Sequence, residues 1–112
     1  MTIEQIIVDH LSRMLSVPVS GETPANKPAE FVTVEKTGSS TQNRIKSATL
    51  AIQSWSTSQS SASALNETVK AAMDDAAALA AVSSARCETD YNFTDTSTKR
   101  HRYQAVYTVV YY

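Results

Sequence analysis

The chain has 112 residues, 42% of them hydrophobic, enough for one domain with a modest core and too many for a disordered segment. Ten basic and eleven acidic residues leave a net charge of −1. That excludes a strong field for nucleic acid or an anionic membrane, so any nucleic acid contact is expected to be incidental.

Residues 2–15 predict a helix. Thr2 and Gln5 have capping-box spacing, and Ile3, Ile6, Ile7, His10, Leu11 and Met14 recur at helical intervals. Glu4 and Asp9 stand where a secretory signal would be basic, and Arg13 interrupts the apolar stretch. The longest apolar run, residues 76–82, is far short of a membrane span. A cytoplasmic protein with no membrane partner is expected.

Val17-Pro18-Val19 suits a sheet edge, because proline lacks the amide donor a central strand needs. A loop with Gly21 and Pro24 follows, closed by Pro28. Residues 31–36 alternate Phe31, Thr33, Glu35 against Val32, Val34, Lys36 and predict a strand. Residues 37–43 are polar throughout and predict a mobile loop. Residues 45–55 predict a long central strand, with Ala48, Leu50, Ile52 and Ser54 facing one way, Ser47, Thr49, Ala51, Gln53 and Trp55 the other, and a helix covering at least one side. The stretch from Leu50 to Trp55 is the centre of the expected core.

A second helix is expected after an N-cap at Ser58, Ser60 or Ser61. Its apolar stripe is Ala62, Leu65, Val69, Ala72, Met73 and Ala76. Asp74 and Asp75 oppose the helix dipole, which predicts a break there, new caps, and a short helical segment to about Ala80. Residues 85–93 and 102–111 predict an antiparallel hairpin, with Ala85, Cys87, Thr89, Tyr91 and Phe93 sharing one face and Glu88 and Asp90 the other. The expected fold is α+β, a single domain over residues 1–112 in the order α-β-β-β-α-β-β. One mostly antiparallel sheet is packed with helices.

No chemistry-bearing constellation emerges. Gly21 and Gly38 are the only glycines, which excludes a dinucleotide fingerprint or phosphate loop. His10 lies on an apolar stripe and is expected to be packed, with one hydrogen bond. His101 stands apart from it, so neither has metal-ligand spacing. Cys87 is the single cysteine, which excludes an intrachain disulfide, and reads as a small buried hydrophobe. No enzyme, catalytic residue, metal or cofactor is expected. Asn66-Glu67-Thr68 and Asn92-Phe93-Thr94 match the glycosylation sequon by chance, since no secretory signal accompanies them. Lys99-Arg100-His101-Arg102 is the one basic cluster. It is expected to balance Glu88 and Asp90 across the hairpin, or to meet an acidic patch on a neighbouring subunit. Tyr103, Tyr107, Tyr111 and Tyr112 crowd the C-terminus; the first two suit a core and the last two an interface.

The ordered set Pro24, Pro28-Ala29-Glu30-Phe31-Val32-Thr33-Val34-Glu35-Lys36-Thr37-Gly38, Leu50-Ala51-Ile52-Gln53-Ser54-Trp55, Ala64-Leu65 and Arg102-Tyr103 resembles tail-terminator and tail-completion proteins of long-tailed phages and prophages. It departs at Ser39, where that pattern has a second glycine. The resemblance implies a ring, typically a hexamer, on the head-proximal end of the tail tube. Such a ring ends tube polymerisation and permits head–tail joining. The implied partners are other copies of the chain, the tail-tube protein and a head–tail connector protein. The implied location is the bacterial cytoplasm during assembly, then the virion tail or neck. On this reading Gly38, Ser39, Gln42, Arg44, Lys99, Arg100, Arg102, Tyr111 and Tyr112 are the candidate contacts. Three other readings compete with it: a head-side connector of the same particle, a small enzymatic or ligand-binding α+β domain, and a monomeric antitoxin-like regulator.

Overall fold

The computed structural model describes residues 2–23, 28–94, 97 and 100–112. Helix α1 (Ile3–Met14) begins where its cap predicts: the Thr2 hydroxyl accepts from the Gln5 amide at 3.2 Å. Ile3, Ile7, Val8, His10 and Leu11 are buried, while Met14, expected on the stripe, is exposed. His10 packs as expected. Its Nε2 donates to the Ala72 carbonyl at 2.8 Å and ties α1 to the second helix. The Glu4 carboxyl, bonded to backbone in the first turn, is held below its usual range, with Lys36 adding a weaker pull.

Two strands, β1 (Val19–Ser20) and β2 (Phe31–Gln42), pair in parallel at the sheet edge. The Val32 amide donates to the Pro18 carbonyl there, at 2.9 Å. Strand β2 then pairs antiparallel with β3 (Ile45–Ser56) along its whole length. This corrects the loop expected at residues 37–43. Those residues have nothing apolar to bury, yet the backbone groups on their inner side pair with β3, from Gly38 opposite Thr49 to Gln42 opposite Ile45. Asn43 (φ 51°) and Arg44 (φ 64°) form a two-residue turn, both left-handed. Such turns match the natural strand twist, and asparagine enters that conformation readily.

Helix α2 (Gln59–Asp74) is capped by Ser58, whose hydroxyl accepts from the Ser61 amide at 3.2 Å. All six predicted stripe residues are buried. The helix breaks at Asp75 and a 3₁₀ turn (Ala76–Ala78) follows, as expected, but no side chain caps it. The Asp75 amide instead closes back on the Ala72 and Met73 carbonyls.

Strands β4 (Val82–Asn92) and β5 (His101–Tyr111) complete a sheet ordered β1-β2-β3-β5-β4. Both helices cover one face, over Val32, Val34, Leu50, Ile52, Ala105 and Val109. The register of β4 slips at Glu88, and this bulge overturns the predicted facing of the strand's second half. Ala85 and Cys87 face the helices opposite Val109 and Tyr107, but beyond the bulge Asp90, not Tyr91, lies opposite the inward Ala105. Glu88 and Asp90 therefore part company. Glu88 pairs with Arg86 at 2.7 Å, while Asp90 accepts from Asn66 Nδ2 at 2.9 Å and from Lys70 Nζ at 3.2 Å under α2. Burial, with Cys87 beside it, pushes the Tyr107 phenol up.

Candidate assembly surfaces

The face of the sheet without helices carries two rows of side chains near one end, the base. In the first row Phe31 is opposite Trp55 and Trp55 is opposite Arg102. The Phe31 and Trp55 rings stack at 5.3 Å. The Arg102 guanidinium lies 4.5 Å from the Trp55 ring centre and 4.3 Å from that of Phe93. Its Nε also donates to the Phe93 carbonyl at 2.8 Å. Arg100 covers Phe31 at 5.5 Å and donates to the Pro28 carbonyl at 2.8 Å. Such cation–ring contacts gain strength as water is excluded.

The second row is polar and continuous across four strands. Trp55 Nε1 donates to Thr33 Oγ1 at 3.2 Å, and that hydroxyl donates to Gln53 Oε1 at 3.0 Å. Gln53 Nε2 donates to Gln104 Oε1 at 2.8 Å, and Gln104 Nε2 to the Tyr91 hydroxyl at 2.6 Å. Trp55 is 7% exposed and Phe31 1%. Trp55 is thus buried as expected, but on the face away from the helices, in a small cluster of its own.

Two expectations about the basic cluster change. Arg100 and Arg102 are engaged by rings and carbonyls, and the acidic residues they were to balance have other partners. Lys99 lies outside the described residues.

The opposite end, the tip, holds the other candidates. Gly38, Ser39, Gln42 and Arg44 are all exposed there on the β2–β3 hairpin. A hydroxyl pair, Ser40 and Ser47 at 2.9 Å, joins its strands. Lys46 is opposite Tyr111, so the chain terminus reaches the same end. Arg44, Ile45, Ser83, Val110, Tyr111 and Tyr112 line a groove of about 300 Å³. Ile45 is 57% exposed and Tyr112 76%. Tyr111 is half-buried against the core edge, and the Tyr112 amide is held by the Ala81 carbonyl at 3.1 Å.

The fold therefore brings Arg44, Tyr111 and Tyr112 together and sets Arg100 and Arg102 at the far end of the same sheet. At about 3.3 Å per residue along β5, the two groups lie roughly 30 Å apart. Sequence reasoning missed Ile45, an apolar residue beside a polar stretch, and it missed Phe93, whose facing depended on the bulge. It also missed the glutamine row, for which Gln53 and Gln104 at mid-strand positions were the available signal.

Among the described residues, no three His, Cys, Asp or Glu side chains are placed to hold a metal ion, and no helix is long and apolar enough to cross a membrane. No curated protein matches the chain. One family model does, Tail completion protein gp17, over residues 10–112, which takes in every strand, all of α2 and the end of α1 from His10. The chain belongs to this tail-completion family and is a structural component of a phage tail.

Proposed function

We propose that the protein forms a ring, a hexamer, on the head-proximal end of the tail tube, ends tube growth and leaves a surface for the head connector. The observation that carries this reading is the family match over nearly the whole chain. The two ends of the sheet support it. A terminator must match a tube subunit on one side and not repeat that match on the other. Here one end is closed by rings and arginines and the other is a bare hairpin beside an apolar groove. On this reading Gly38, Ser39, Gln42, Arg44, Tyr111 and Tyr112 meet the tube or a neighbouring copy. The exposed parts of Arg100 and Arg102 belong to the second surface.

The test is tube growth in vitro. Purified chain added to polymerising tube protein from the same phage is expected to shorten the tubes seen by electron microscopy and to leave a ring at one end. Tubes that lengthen unchanged, with the chain instead captured by portal or connector protein, would move it to the head side.

A further inference from the structure

The sheet has two unlike edges. Strand β1 pairs only with Val32 and Thr33 of β2. From Val34 to Gln42 the outer side of β2 has no strand partner among the described residues. At the opposite edge, β4 has β5 as its one strand partner among the described residues. An unpaired row of backbone amides and carbonyls is a template for another strand, and natural proteins block it with lysine, proline or bulges. The distal part of β2 is hardly blocked. Gly38-Ser39-Ser40-Thr41-Gln42 has no charge and no proline, and its bulge lies at the near end, between Lys36 and Gly38. Lys36 itself reaches toward Glu4 of α1, at 3.8 Å. On β4 the charges Arg86 and Glu88 neutralise each other, and between its two bulges residues 84–87 form an uninterrupted stretch.

Strand direction decides which edges match. The pairings β2–β3, β3–β5 and β5–β4 are all antiparallel, so β2 and β4 run in opposite directions. Rotating a copy about an axis along the strands sets its β4 antiparallel beside β2 of the first. Four long strands per copy, an even number, let the antiparallel alternation continue through every boundary and close. A two-fold contact of like edges would satisfy one edge and leave the other bare in each copy. Strand β1 bars the Val32 end, so the neighbour is seated toward Gln42, beside the groove of Ile45 and Tyr112.

We propose that copies of this chain join edge to edge, the distal half of β2 against β4 of the next, so that one antiparallel sheet runs around the assembly. This rests on the ring reading above and names the contact that builds the ring.

Proline substitution tests it. Adjacent amides alternate between the two sides of a strand, so one of Ser39→Pro and Ser40→Pro removes an outward donor and spares the β2–β3 ladder. Ser84→Pro and Ala85→Pro do the same for β4. In each pair the variant that keeps the wild-type melting temperature is used. Mass is measured by sedimentation, with and without tube protein. Each edge-blocked chain alone is expected to associate at least tenfold more weakly than wild type. A mixture of a β2-blocked and a β4-blocked chain still has one good edge of each kind, and is expected to give a one-to-one dimer that cannot grow. Folded variants that still assemble like wild type, a mixture that stays monomeric where wild type assembles, or a β2-blocked chain that dimerises by itself would each overturn the contact and leave the ring standing. A wild-type chain that stays monomeric alone and with tube protein would overturn the ring as well.

Discussion

Strand β2 runs through both ends of the molecule, and its halves differ. Its first four residues are buried and its last eight are exposed. At the base Phe31 and Thr33 are locked under Arg100 and into the row that ends at Tyr91. At the tip the same strand keeps only its backbone ladder to β3 and a few hydroxyl contacts. The covered half holds the fold together, and the bare half leaves backbone and side chains free to meet another surface. A polar exposed strand of this kind contributes little to stability by itself and is held by its ladder to β3.

Substitutions at the two ends should therefore differ in size and in kind. The largest effect is expected at the base. Trp55→Ala removes a buried ring stacked on Phe31 and leaves the Arg102 guanidinium and the Thr33 hydroxyl short of a partner. It should cost about 3–5 kcal/mol. A denaturant titration showing less than about 1 kcal/mol would mean the base is not closed as described. Gln53→Ala cuts the polar row at its middle and strands Thr33 on one side and Gln104 on the other. The expected loss is about 1–3 kcal/mol, the cost of unpaired and partly buried polar groups. If Gln104→Ala in that background costs as much again as it does alone, the row does not act as a unit.

The smallest effect, with the opposite sign, is expected at the tip. Arg44 has φ 64°, a conformation that glycine enters at no steric cost. Arg44→Gly should stabilise the monomer by about 1 kcal/mol in thermal melts while weakening assembly. A variant that is less stable than wild type would mean that the Arg44 side chain supports the hairpin, and the division between the two ends would soften.

Much of this was legible in the residues. The helices announced themselves by caps and by apolar spacing, because Thr2 and Ser58 act within one turn of their own chain. The alternation around Leu50 and Ile52 marked the central strand for the same local reason. The candidate surface was less legible. Residues 37–42 have no apolar alternation, so nothing local distinguishes a strand held by its partner from a loop. The aromatic and arginine row depends on Phe31, Trp55 and Arg102 on three different strands and Phe93 just past a fourth, which meet only through register.

The sequence by itself determined which segments are helices, where α2 breaks, that β3 is a central strand, and that no catalytic constellation is expected. Those properties follow from short-range spacing and from composition. Tertiary structure alone decided three things: that the polar stretch is a strand, that the bulge at Glu88 turns Asp90 inward and Tyr91 outward, and that Arg44 and Tyr112 share one end. Each depends on pairing between distant strands, where a shift of one residue moves every later side chain to the other face.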